Sequence, residues 1–509
     1  VDSDSPGVVA VGSIDPAASG RIADYSSRGP SADGRVLPDL VAPGNLFSTV
    51  QGRFAGTSAA AAVVAGVAAL YLDAELAADA VSVADLLRHL AVDRGAAGPD
   101  NSYGHGEVVL PPPPEASEPT PARYVPLDAP ERFLDTRPQS SVGPSTLVGE
   151  VGRGTIVELP IGGVGAVPAV GVTAVALNLV STGADRPSFV QALPTGAGTL
   201  AGFSNLNIDA PGQTRANFAI VPVGDDGSIS LYTVADGHLV VDVLGWFEAA
   251  PTAVADGRFI ALDQSERLLD TRDADGAPLR TGEVRTVPSP GPGAIEHAAA
   301  LVVTVTAAAP TAHGWLQAYP SSRPDVIGTT STVNTAPGTN VANLAIVPIE
   351  DGPIAVTGHF AQNGSSHVVV DVVGYITAET APVTTAGRYV AVTPGRAFDS
   401  RAATGPLPDG DPVVIDAAAG ATVPASASGV VWNAAIAGAH RAGFAQAWPT
   451  GSARPDTSVL NWSSSGEIRA AAVISATQGS RALFALDDGV LDASPPVGDL
   501  VVDVFGYFT

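Results

Sequence analysis

The sequence predicts a multidomain chain: an incomplete α/β domain followed by three all-β repeat domains, antiparallel and sandwich-like. Three observations predict it. A Gly-Thr-Ser turn, Gly56-Thr57-Ser58, opens a long apolar run, Ala59–Leu70. Four consecutive prolines, Pro111–Pro114, interrupt the chain. Beyond them the same opening and closing strand motifs recur three times.

Composition sets the outer limits. At 509 residues the chain is too long for one compact domain, and about three to five are expected. With 45% hydrophobic residues, 56 Gly and 43 Pro it is globular and rich in turns. No apolar run is long enough to cross a bilayer; the longest, Ala59–Leu72, is Ala-rich and short of a span. Cysteine is absent, which excludes disulfides and thiolate metal sites. All 25 basic residues are Arg, and the net charge of −26 argues against a nucleic-acid partner, which needs a basic face. Acidity suits a salty or extracellular setting, although codon bias accounts for it equally well. The chain opens on Val1 inside a domain and holds no Met, so the absence of a signal peptide says little: an initiator and an export sequence, if they exist, lie upstream.

The Ala59–Leu70 run has no polar face, and such a helix belongs inside a domain, sheathed on all sides. Ser58 stands where it begins, near unpaired N–H groups and the positive end of the dipole. Those features suit a nucleophile whose oxyanion the free N–H groups can hold. An N-cap is the plainer role for such a serine. Around it stand four landmarks in order: Gly7–Asp15, which reads as a buried strand, then Tyr25-Ser26-Ser27-Arg28-Gly29-Pro30, then Pro38–Gly44, and finally Tyr103-Gly104-His105-Gly106. This succession resembles the C-terminal part of the catalytic domain of subtilisin-like serine peptidases, and covers residues 1–110.

The resemblance implies that Ser58 is the catalytic serine. It departs from the family where Ala62-Val63 replaces the usual Pro-His pair after the serine. It also lacks the family's Asp, His and oxyanion Asn, which precede the serine and are expected upstream of Val1. Neither His89 nor His105 stands in a family position; His89 reads as a helix C-terminal residue and His105 as a turn residue. A second helix is expected around Val81–Leu90, with Ser82 as its cap and Asp85 in its first turn. No cofactor is implied. Structural calcium is compatible with the family, but no residues here place it.

The proline-rich stretch 111–121 reads as an extended spacer. The repeats are expected at 122–248, 257–377 and 387–509. Each opens on Arg-aromatic (Arg123-Tyr124, Arg258-Phe259, Arg388-Tyr389) and continues to an Asp-Thr/Ser-Arg triplet: Asp135/Arg137, Asp270/Arg272, Asp399/Arg401. Each closes on Val-Asp-Val-x-Gly-aromatic around Asp242, Asp371 and Asp503. Inner strands match as well, Val175–Asn178 with Val302–Val305 and Ala219–Pro222 with Ala345–Pro348. Short β-branched runs between Gly, Pro, Asn and Asp argue for antiparallel sandwiches. The triplets read first as ion pairs that fix the fold, and the closing Asp residues as braces of a turn. Asn205, Asn207, Asn334 and Asn461 read as turn formers. Trp246, Trp315, Trp448 and Trp462 could stack on sugars, but core is the better reading.

The expected function is therefore a secreted or surface-associated serine endopeptidase acting on protein or peptide substrates. Its β domains would anchor it or hold a cell-surface polysaccharide. The alternatives are a noncatalytic surface- or carbohydrate-binding protein carrying a peptidase remnant, and a purely structural spacer array.

Overall fold

The computed structural model describes residues 7–15, 20–48, 52–73, 79–110, 119–138, 147–197, 200, 202–273, 276–291, 295–349, 352–489 and 496–509. Pro111–Pro114 and most of the expected spacer lie outside the described residues. The chain forms two compact units. One is Val1–Ser117 with Gly154–Ile156 and Gly196–Gly202; the other is Glu118–Arg153, Val157–Thr195 and Phe203–Thr509.

In the first unit, strand Val11–Asp15 runs parallel to Leu40–Pro43 and antiparallel to Arg21–Ile22. A hairpin, Asn45–Ser48 with Gly52–Ala55, leads into the helix Thr57–Asp73. That helix buries Ala59, Ala60, Val64 and Tyr71, and the Tyr71 hydroxyl donates to the Val109 carbonyl at 3.1 Å. The expectation of an all-round burial is corrected: Ala61, Ala62, Ala65, Ala69, Leu70 and Leu72 are exposed. Among the described residues the helix packs on the three-stranded sheet and on the helix that follows, and the rest of its surface is exposed. Such an uncovered apolar face is a poor basis for independent folding. A polypeptide of residues 1–110 alone is therefore expected to unfold without a cooperative transition, checked by urea titration with circular dichroism.

The second helix spans Ala80–His89, and its cap is Asp79 rather than Ser82. Ser82 occupies the third helical position, and its hydroxyl accepts the Asp79 N–H while the Asp79 carboxylate accepts the Ser82 N–H. This reciprocal box reads from sequence as a cap at either residue.

The second unit holds three copies of one arrangement, each with two antiparallel sheets around an apolar core. In the first copy the long sheet orders Thr214–Pro222, Val172–Thr182, His238–Ala249 and Ala122–Asp135. Its short sheet orders Leu206–Ile208, Ser188–Pro194, Ser228–Thr233 and Ile156–Pro160. In the second copy Val341–Pro348, Ala298–Ala308, Ser365–Thr377 and Phe259–Asp270 form the equivalent long sheet. The third copy uses Arg469–Ala476, Gly429–Ala437, Asp499–Phe508 and Tyr389–Asp399, and pairing of Tyr389 with Ala122 joins its long sheet to that of the first. Register sets the equivalences: Asn178, Thr304 and Asn433 stand opposite Asp242, Asp371 and Asp503. The sequence match of Val175–Asn178 to Val302–Val305 is thus one residue out of step.

The strands Thr214–Pro222, Val341–Pro348 and Arg469–Ala476 meet one another, so the three copies close into a ring. Buried Asn side chains latch two of its seams. Between the first and second copies, Asn343 donates to the Asn178 side-chain oxygen at 2.9 Å and accepts the Phe218 N–H at 2.8 Å, while Asn178 donates to the Ser331 carbonyl at 2.7 Å. Between the third and first, Asn217 faces Asn433 at 3.4 Å and accepts the Ala472 N–H at 3.0 Å, while Asn433 donates to the Ser204 carbonyl at 2.7 Å. Asn343→Ala is expected to destabilise the ring by roughly 1–3 kcal/mol for each buried group left unpaired. Thr304→Ala, which removes no latch, should cost less; urea midpoints compare the two.

Candidate active site

Ser58 is the second residue of the helix Thr57–Asp73 and is exposed. The turn before it depends on two glycines. Gly56 has φ of +123°, a conformation L side chains rarely adopt. Gly44 lies so close that a Cβ there would fall 1.8 Å from the Ser13 hydroxyl and 2.8 Å from the Gly56 carbonyl. The Gly56 N–H donates to the Gly44 carbonyl at 2.8 Å, and the Gly56 carbonyl accepts the N–H groups of Ala59 and Ala60. The Tyr25 hydroxyl also donates to the Gly44 carbonyl, at 3.1 Å, and lies 3.1 Å from the Ser13 hydroxyl. The landmarks around Ser13, Tyr25, Gly44 and Gly56 are thus one structure, built to fix the backbone that presents Ser58. Helix starts leave their first N–H groups without partners inside the helix; with those of Ala59 and Ala60 turned to Gly56, it is the Ser58 N–H that fits an oxyanion.

The remaining landmarks brace the unit. Asp39 accepts the Ala10 N–H at 2.7 Å and the Arg88 guanidinium at 3.2 Å, and Arg88 also bonds Asp85 at 3.1 Å. The His105 N–H donates to the Asp39 carbonyl at 2.8 Å, and a Cβ at Gly104 would strike the Pro38 carbonyl oxygen at 2.2 Å. His105 is a turn residue whose charged neighbours are Arg88 and Asp39. Among the described residues no hydrogen bond joins it to Ser58.

In the ring, the Asp-Thr/Ser-Arg triplets do form ion pairs, but with a partner the sequence reading overlooked. Arg132 grips Asp242 through Nε at 2.8 Å and Nη2 at 3.2 Å, and reaches Asp135 at 3.1 Å; Arg137 holds Asp135 at 2.9 and 2.6 Å. Arg267 bonds Asp371 and Asp270 in the second copy, and Arg396 bonds Asp503 and Asp399 in the third. The closing Asp residues therefore brace mid-strand ion pairs rather than turns. Burial pushes the carboxyls of Asp242, Asp371 and Asp503 up, and the bonded Arg opposes it. The middle residue of each triplet is buried as well: Thr136 and Thr271 accept the N–H groups of Leu239 and Val368, and Ser400 that of Leu500. The signal was present as Arg132, Arg267 and Arg396, three residues before the triplet Asp in every copy. With their oxygens committed to guanidinium groups, these quartets fit a fold determinant.

Asn207, Asn334 and Asn461 lie in short strands rather than turns, each three residues after a Ser whose hydroxyl bonds the amide. Trp448 and Trp462 are core residues, while Trp246 and Trp315 are half-buried and Trp315 stacks on His359. Asp409, Asp487 and Asp488 approach one another closely enough to share an ion, but Asp487 and Asp488 are paired with Arg454 and Arg441.

Against known proteins, residues 1–106 match the sequence model of the subtilase family, Peptidase_S8, which places a subtilase domain at the N-terminal end and supports a serine peptidase at the family level. The chain is also similar to an uncharacterized protein, aq_aa18, of Aquifex aeolicus (strain VF5), 41% identical over 71 residues. That match takes in 10% of this chain and 32% of the relative, so the chain spans about a third of the length of the curated relative it matches. Among solved structures, a chain of the lipid-containing bacteriophage PM2 covers 70% of this chain and 100% of its own length at 9% identity. Its TM-score of 0.13 carries no argument about the fold. Among the described residues no helix is long and apolar enough to cross a membrane.

Proposed function

We propose that the chain is part of an exported subtilisin-like endopeptidase in which Ser58 is the nucleophile and the three-copy ring holds the enzyme on a surface polysaccharide. The observation that carries the reading is the exposed Ser58 at a glycine-shaped helix start within a segment matching the subtilase family. Its oxygen would attack the scissile carbonyl carbon, passing its proton to a histidine, while the Ser58 N–H holds the developing oxyanion. The amine then leaves with that proton, and water hydrolyses the acyl-serine. The histidine, its orienting aspartate and the second oxyanion donor would come from polypeptide outside residues 1–509. The exposed apolar face of the Thr57–Asp73 helix supports this, because it is a surface in want of cover.

The test is expression from upstream of Val1, followed by labelling with a fluorophosphonate probe. Labelling that maps to Ser58 and disappears in Ser58→Ala supports the reading; labelling elsewhere, or none in an active preparation, overturns it. A noncatalytic surface-binding protein is the second reading, favoured by the large share of the chain devoted to the ring.

A further inference from the structure

We infer that the seam between the second and third copies of the ring is a binding cleft for a neutral oligosaccharide. The inference rests on the reading of the ring as a polysaccharide holder and is independent of the peptidase reading.

The ring has three seams built from equivalent strands, yet among the described residues the Asn latch forms at two of them. At the third, Thr304 takes the place of Asn178 and Asn433, and Ala471 that of Asn217 and Asn343. Neither can make the side-chain bonds that close the other seams. The outer end differs in the same sense. At the first seam Arg323 donates to the Asp128 carbonyl at 3.3 Å, and Ala129 packs against Tyr319, Val326 and Ala355. At the third seam the equivalent of Arg323 in its Arg-Pro-Asp motif, Arg454, turns back into its own copy. There it bonds Gln446 at 2.6 Å, Gly410 at 3.0 Å and Asp487 at 2.8 Å. The seam holds through other bonds: Gln264 to the Ala453 carbonyl at 2.7 Å, Ser265 to the Thr457 hydroxyl, Arg267 to the Asp456 carbonyl at 3.2 Å, the Asn340 N–H to the Ser463 hydroxyl at 2.6 Å and Arg469 to the Asn340 carbonyl at 3.0 Å. What it lacks is the Asn latch and the Arg323-type contact, and a cleft of about 510 Å³ lies at this seam.

That volume lies within the range of small-ligand sites. Half-buried Ile260 supplies apolar surface over the buried Phe259 ring, and Ser452, Thr477 and Gln478 supply hydroxyl and amide groups. Asp263 is the single charged residue of the lining, and no Arg or His contributes to it. Pyranose rings offer both C–H faces and hydroxyls that donate and accept, which this mixture matches. An anionic glycan would meet a carboxylate and no cation, on a chain of net charge −26. The departure from symmetry is the main argument. A feature needed only for folding would recur at each seam, as the Arg–Asp quartets recur in each copy.

The test titrates residues 1–509 with cello-, xylo-, malto- and chito-oligosaccharides by calorimetry, beside Ser452→Trp, which fills the cleft, and Gln478→Ala, which strips its rim. Binding by the parent chain that weakens about tenfold or more in both variants, with unchanged melting curves, supports the cleft. If Ser452→Trp fails to fold, Gln478→Ala with Thr477→Val replaces it. Binding that survives in the variants overturns the cleft but leaves the ring a polysaccharide holder. Binding of none of the sugars, or of an unstructured peptide instead, overturns both.

Discussion

Arg267→Ala is expected to lower the stability of the ring by about 3–5 kcal/mol at neutral pH, because it strands a buried carboxylate. The Asp371 side chain is 1% exposed, and Arg267 is its bidentate partner. Arg272→Ala should cost less, since that guanidinium is half exposed and buried Asp270 keeps the Arg272 N–H at 3.0 Å and the Arg267 guanidinium at 3.5 Å. The pH dependence distinguishes this cause from lost packing. Burial already raises the Asp371 carboxyl above its unfolded value. A raised carboxyl makes the folded state bind a proton that the unfolded state has released, so stability falls as pH rises through that window. Without Arg267 the window widens upward. The variant should therefore recover part of its deficit as the buffer is made acidic, whereas Arg272→Ala should recover only at lower pH, because, against burial, bonds to Arg272 hold the Asp270 carboxyl below the usual carboxylate range. Urea midpoints at a series of pH values read both effects.

Ser58→Ala is expected to reduce turnover of the complete peptidase by about a million-fold, the loss typical of a serine that acts as a unit with its base. On the proposed reading, residues 1–509 by themselves should show no peptide hydrolysis, because a serine hydroxyl whose base lies on other polypeptide is a weak nucleophile. Fluorogenic peptide turnover measures both. Labelling of residues 1–509 by a fluorophosphonate at the rate of a complete peptidase would refute the second expectation.

Some of this was legible in the residues. The order of Tyr25, Gly44, Gly56 and Ser58 announced a shared structure because glycines at close approaches and positive φ leave a trace in sequence. Recurrence announced the ring's three copies. What stayed hidden depends on position across strands. Thr304 and Ala471 look like ordinary core residues until register sets them beside Asn178 and Asn217. Arg132 was visible but lies 110 residues from Asp242, and nothing local ties the two. Asn207 looked like a turn former by type and proved to be a strand residue, since the Ser204 hydroxyl satisfies its amide in the extended state. The exposed face of the Thr57–Asp73 helix was misjudged because hydrophobicity alone does not say how much of a neighbour is there to cover it.

The unequal seams bear on how such an array can diverge. In a symmetrical trimer of separate subunits, one substitution alters every interface at once, so no contact can drift without the others. Joining the subunits in a single polypeptide removes that constraint. Covalent linkage keeps the members together even when one junction weakens, and that junction is then free to acquire a task its sisters do not share.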